Sequence, residues 1–153
     1  MIKVNVISEE KSWSKKLKKK QELFDKVCKN FPKQFRFRKK KAYLTLLLSN
    51  NTKIKDLNRR FRNKNNHTDI LSFPFEKIKR NFKEIYLGDI IISFNYINKP
   101  KNLDSFEFKK KTVKIFIHGF LHLLGYDHIK EKDYKKMSNM EQKVFSSIEK
   151  FLN

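Results

Sequence analysis

His118-Gly119-Phe120-Leu121-His122-Leu123-Leu124-Gly125-Tyr126-Asp127-His128 carries three of the four histidines of this 153-residue chain within eleven positions. The stretch is apolar nearly all round up to Leu124, which predicts the end of a buried central helix rather than a surface one. Two histidines four apart on a helix point to the same side. Gly125 then permits a left-handed turn, so the chain can reverse and bring His128 toward His118 and His122. Neutral imidazole is a common metal ligand, and three nitrogens leave a zinc-like ion one open coordination position, the mark of a catalytic rather than a structural site. His118, His122 and His128 are therefore the expected metal ligands.

The spacing equals the H-x3-H-x2-G-x2-H part of the metzincin protease motif. In those enzymes a glutamate follows the first histidine and acts as general base. Here that position is Gly119, which cannot take a proton, so peptide hydrolysis by that route lacks its base. Three neutral ligands leave the ion's charge uncompensated. Such a centre lowers the pKa of bound water to about 7 and acts as a Lewis acid on a phosphate oxygen. Phosphodiester hydrolysis needs both properties.

Ser105–Leu124 reads as the whole of that long helix, and Lys130–Leu152 as a last helix with a stripe of Tyr134, Met137, Met140, Val144, Ile148 and Phe151. Lys111 and Lys114 precede His118 on the same face. They either meet an anionic substrate or are ordinary solvated residues. Asp127 either orients a ligand imidazole or serves the turn. On the N-terminal side, Ile2, Val4 and Val6 alternate as a strand. Ser12 is placed to cap one helix running to about Phe31, whose apolar side is Trp13, Leu17, Phe24, Cys28 and Phe31. Lys41–Ser49 and Leu87–Ser93 read as strands. Asp69–Phe75 does so too, with Leu71, Phe73 and Phe75 on one face and Pro74 marking either an edge strand or the strand's end. Asn51–Asn63 predicts a helix packed through Ile54, Leu57 and Phe61, and Phe94–Ile97 a short one. Each aromatic or methionine stripe is expected to be core. The sum is an α+β fold. It forms one domain over residues 1–153, with a small mixed sheet of about four strands packed with about five helices, and the histidine triad on the buried central helix and the following turn.

The net charge is +21, from 37 Lys and Arg against 16 Asp and Glu. It is uneven: residues 11–41 hold fourteen bases and two acids, residues 128–153 six and four. This points to an anionic partner, nucleic acid first and an anionic membrane surface second, although a chain rich in Lys, Asn, Ile and Phe also fits an AT-biased genome. The single cysteine, Cys28, excludes an intrachain disulfide and reads as a packed core thiol. The N-terminal residues lack the basic-then-apolar layout of a signal peptide, and no apolar run approaches the roughly 20 residues of a membrane span. A cytoplasmic location without membrane association is the expectation.

The histidine stretch resembles the H-G-x-L-H-L-x-G-Y-D-H signature of the YbeY endoribonucleases, bacterial rRNA maturation factors. Leu57-Asn58-Arg59-Arg60-Phe61-Arg62 with Thr68-Asp69-Ile70-Leu71-Ser72-Phe73-Pro74-Phe75 resembles the family's L-N-x3-R and T-[DN]-V-L-S-F-P-F segments. Leu87-Gly88-Asp89-Ile90 resembles its L-G-D-[IL] strand. The matches keep the family's order and span about positions 57–128; the first and last helices match only in kind. The resemblance implies a metal-dependent, single-strand-specific endoribonuclease acting in 16S rRNA 3′-end maturation and ribosome quality control. It implies one zinc ion on the triad (nickel or another imidazole-preferring metal being possible in vitro), and the 16S rRNA precursor and small ribosomal subunit as partners. By position Arg62 matches the family's functionally important arginine, implying a role in holding the scissile phosphate or stabilising transition-state charge. His67 stands where the family commonly has proline. It reads as a loop variant, with a fourth ligand or an acid as the alternative. A ribosome-assembly factor with a mainly structural zinc is the competing function.

Overall fold

The computed structural model describes residues 1–37, 39–75 and 83–153. Its centre is a four-stranded mixed sheet of β1 (Ile2–Ser8), β2 (Lys41–Ser49), β3 (Ile70–Pro74) and β4 (Glu84–Ser93), in the order β1-β2-β4-β3. β1 and β4 run parallel to β2, while β3 pairs antiparallel with β4 at one edge. The edge place expected from Pro74 is the observed one, because proline has no N–H for a second neighbour. The Phe75 N–H donates to the Leu87 carbonyl (3.0 Å) and the Asp69 carbonyl accepts from Ser93 (2.9 Å). Odd-numbered residues of β3 thus turn their backbone groups to β4, and the Ser72 carbonyl faces the open edge.

Helix α5 (Ser105–Leu123) is the buried helix anticipated from its composition. Phe108, Phe116, Ile117, Phe120 and Leu121 are each at most 1% exposed. Asp104 caps it, accepting from the Glu107 N–H at 2.8 Å. α5 lies on β3 and β4, and α6 (Glu131–Ile148) packs on α5 through Met137, Val144 and Ile148. Tyr134, expected in that stripe, is 59% exposed. On the opposite face of the sheet lies α3 (Asn51–Arg62), whose Ile54 joins Leu71 and Ile91 in a small second cluster with Leu47, Leu57 and Phe73 against it. The short α4 (Phe94–Ile97) follows β4 as expected.

The N-terminal helix differs from expectation. Instead of one helix to Phe31 there are two, α1 (Trp13–Lys16) and α2 (Lys20–Lys29), which brings the described α-helices to six. Leu17 is extended between them and Lys19 is left-handed (φ 48°). Lys15, Lys16, Lys18, Lys19 and Lys20 crowd this short run, and neighbouring like charges disfavour a continuous helix. Ser12 does not cap α1; its hydroxyl donates to Glu10 at 3.0 Å. The expected apolar side survives the break, since Trp13, Leu17, Phe24, Cys28 and Phe31 are all buried. Trp13 donates from Nε1 to the Ser49 carbonyl at 2.9 Å and meets Phe94 and Phe108 edge-on. Burial pushes the Cys28 thiol well above its ordinary pKa, as befits a packed core residue. Among the described residues no helix is long and apolar enough to cross a membrane.

Candidate metal centre

The triad forms at the C-terminal end of α5. The helix stops in a Schellman arrangement: the Tyr126 N–H donates to the Leu121 carbonyl and the Gly125 N–H to that of His122, both at 3.0 Å. Gly125 takes φ +95°, a conformation that side-chain-bearing residues rarely adopt. The reversal carries His128 back over the helix end. One ligand nitrogen from each of His118, His122 and His128 lies within 4.8 Å of the others. Ring centroids are 4.6 Å apart for His118 and His122, 5.0 Å for His122 and His128, and 5.5 Å for His118 and His128.

The partners of the imidazoles decide which nitrogens converge. His118 places Nδ1 2.7 Å from Oε1 of Glu141, on α6, and His122 places Nδ1 2.9 Å from the Tyr126 carbonyl. A carboxylate and a carbonyl only accept, so each Nδ1 carries the proton and each Nε2 presents a lone pair. Those two Nε2 atoms stand 3.1 Å apart. Two acceptors at that distance repel unless a cation or a proton lies between them. Two nitrogens bound at about 2.0–2.1 Å to one tetrahedral ion stand about 3.3–3.4 Å apart. The donor set therefore fits a metal ion of the zinc kind. Burial first, and then the neighbouring His118, hold the His122 imidazole below its ordinary pKa, which favours the neutral, ligating form.

Glu141 did not emerge from the histidine motif. Its trace was in the last helix, where residue 141 falls in line with buried Met137, Val144 and Ile148, a carboxylate on an otherwise apolar face. Gly119 packs against the sheet. A Cβ there would stand 2.6 Å from Ile70 Cδ1, 3.0 Å from Ser72 Oγ and 3.1 Å from Ile90 Cγ2. A side chain at 119 would thus enter the α5–β3 contact, so this position supplies no base to the triad.

Arg62, the last residue of α3, donates from Nη2 to the Ser72 carbonyl at 3.0 Å and lies over the Phe73 ring, 5.5 Å from its centroid. The Ser72 hydroxyl donates in turn to the Gly119 carbonyl at 3.1 Å. One residue of the edge strand thus ties Arg62 to the helix turn that carries His118. Asn58 is buried, and its Nδ2 donates to both the backbone carbonyl and the Oδ1 of Asn66 (2.9 Å each), holding the loop beyond Arg62.

The remaining candidates go elsewhere. His67 shares a 3.0 Å hydrogen bond through Nδ1 with the Tyr96 hydroxyl and is not among the clustered ligands. Asp127 accepts from the His128 and Ile129 N–H groups at 2.6 and 3.2 Å, the turn role. Lys111 donates to the Tyr96 and Lys99 carbonyls at 3.1 and 2.6 Å, and Lys114 lies 4.8 Å from the Phe145 centroid.

A family model described as Endoribonuclease YbeY matches residues 5–149. The chain is 57% identical over 148 residues to the Endoribonuclease YbeY of Pelagibacter ubique, with 97% of each chain covered. It is 32% identical over 111 residues to that of Persephonella marina, covering 72% of each. The solution structure of TM1509 from Thermotoga maritima superposes with a TM-score of 0.51 at 24% identity, covering 94% of this chain and 89% of that one, and so shares the fold. With the family model spanning nearly the whole chain and the histidine cluster in place, this chain belongs to the YbeY endoribonuclease family.

Proposed function

We propose that residues 1–153 act as one zinc-dependent endoribonuclease domain that hydrolyses phosphodiester bonds in single-stranded RNA. Its substrate is the 16S rRNA precursor on the small ribosomal subunit, cleaved in the cytoplasm during 3′-end maturation and in ribosome quality control. The observation that carries the reading is the 3.1 Å approach of two unprotonated Nε2 atoms, with His128 as a third ligand and no fourth among the described residues. A structural zinc site is normally closed by four protein ligands. Family membership and the +21 net charge support RNA as the substrate.

A metal bound at the triad supplies Lewis acidity and a nucleophile at neutral pH. The chain's own groups do the rest. Glu141 and the Tyr126 carbonyl fix the tautomers of His118 and His122 by holding their Nδ1 protons. Arg62, anchored to Ser72 by one Nη2 donor, keeps further guanidinium N–H groups for a phosphate oxygen, for which its planar fork is well shaped. Transition-state charge on the phosphate then meets a fixed cation. Ser72 sets the relation between Arg62 and α5 through its two hydrogen bonds.

The test is cleavage of a single-stranded RNA substrate by wild type, His118→Ala and Arg62→Ala. The expected result is loss of cleavage in the first variant and a fall of roughly 10²–10³-fold in the second. Wild-type cleavage by either variant, with contaminating ribonuclease excluded, contradicts the proposal. Small-subunit binding and normal 16S maturation that both survive His122→Ala favour the assembly-factor alternative with structural zinc.

A further inference from the structure

Phe61 and Phe75 were expected in the core, yet they are 68% and 56% exposed. Each is braced on one neighbouring ring, part-buried Phe73 for Phe61 and the exposed Tyr86 for Phe75. Phe61 meets Phe73 edge-on at 5.7 Å, and Phe75 meets Tyr86 edge-on at 5.7 Å. Phe73 and Tyr86 lie on the α3 face of the sheet, which α3 covers only around Leu47, Leu71 and Ile91. Exposed phenylalanines held in place by neighbouring rings lose little conformational freedom on binding a planar group.

The surroundings are cationic. Helix α3 carries Lys53, Lys55, Arg59, Arg60 and Arg62 against Asp56 alone. Arg59 and Arg60 both pair with Asp56, at 2.9 and 3.2 Å, and remain more than 60% exposed. Arg62 separates the two halves of the site. Its guanidinium lies over Phe73, and its Nη2 bonds Ser72, which bonds the α5 turn beside His118. Arg62 and Ser72 thus join the ring surface to the α5 turn that carries His118 along the open edge of β3.

We propose that Phe61 and Phe75 form a base-stacking platform for unpaired nucleotides next to the scissile phosphate. This deepens the RNA-cleaving reading and rests on it. Alternating aromatic and cationic side chains suit single-stranded nucleic acid, whose bases offer free π-faces to rings and phosphates to cations. Bases inside a duplex are already stacked on one another, so the platform discriminates against paired RNA.

The experiment measures binding of a short fluorescein-labelled oligoribonucleotide to the full-length chain by anisotropy, in chelator so that no strand is cut. The RNA is offered single-stranded, annealed to its complement, and as an abasic ribose-phosphate strand. Phe61→Leu and Phe75→Leu keep apolar bulk but remove the ring. Each is expected to weaken single-strand binding about tenfold, leaving duplex and abasic binding unchanged. Phe61→Trp, which keeps a π-face, is expected to bind like wild type. Melting curves exclude unfolding, and Phe61→Trp keeps the test valid if a leucine variant is unstable. Wild-type affinity in both leucine variants, or equal losses for all three RNAs, overturns the platform. Its failure is separable from failure of the parent reading. Cleavage lost in His118→Ala alongside unaltered binding in the leucine variants removes the platform alone. Ring-dependent binding by a metal-loaded chain that never cuts RNA removes the nuclease and leaves the platform standing.

Discussion

Glu141, on the last helix, sits 2.7 Å from Nδ1 of His118, on the central helix, across the α5–α6 packing. Both side chains are about two-thirds to three-quarters shielded, at 33% and 27% exposure. A ligand imidazole whose far nitrogen is held by a carboxylate is oriented and made more basic. Glu141→Ala should therefore weaken metal binding roughly 10–100-fold, read by competition with a chromophoric chelator. Glu141→Gln, which can still accept a hydrogen bond, should lose less. Equal affinity in wild type and Glu141→Ala would show that α6 has no part in the site.

Gly119 couples the triad helix to the edge strand by its lack of a side chain. Gly119→Ala forces a methyl group to within 2.6 Å of Ile70 Cδ1, so β3 or α5 must shift. The expected cost is about 1–3 kcal/mol, seen as a lower denaturation midpoint. Metal affinity should fall with it, because His118 is the adjacent residue. An unchanged midpoint would mean that the α5–β3 contact is looser than the distances imply.

How much of this could be read beforehand divides along physical lines. β2, β4 and α5 are buried on most sides, and continuous apolar runs announce them. The triad was legible because its spacing and Gly125 are local. The break at Lys19 was not, because Trp13, Leu17, Phe24 and Cys28 keep helical spacing across it. Phe61 fits the period of Ile54 and Leu57, but α3 ends over β3, the edge strand among the described residues, and its last turn leaves Phe61 exposed. Glu141 reaches His118 through tertiary packing, which no short motif records.

The metal-free chain should lose stability in acid partly through His122. Its pKa in the folded chain lies below the ordinary 6.5, from burial and then the neighbouring His118. The unfolded chain therefore takes up this proton first as pH falls. The stability is full above about pH 6.5 and declines as pH drops through the folded value. Thermal midpoints in chelator should fall between neutral and mildly acidic pH, and less so in His122→Gln. An equal fall in both would clear His122 of the effect.

RNA affinity should drop steeply with salt. Neutralising four or more phosphates of a single strand predicts a slope of log K against log salt of about −3 or steeper. Arg59→Gln and Arg60→Gln should each make it shallower by roughly 0.7. A flat dependence would make the charge incidental to binding.

On the proposed function, three histidines hold one ion that makes the chain a ribonuclease. The most direct measurement strips the metal, titrates zinc back, and follows cleavage of single-stranded RNA against ions added per chain. Activity should be absent in the stripped chain, rise linearly, and saturate at one equivalent, with His118→Ala inactive throughout. Cleavage that persists without metal, or a fully loaded chain that does not cut, would contradict it.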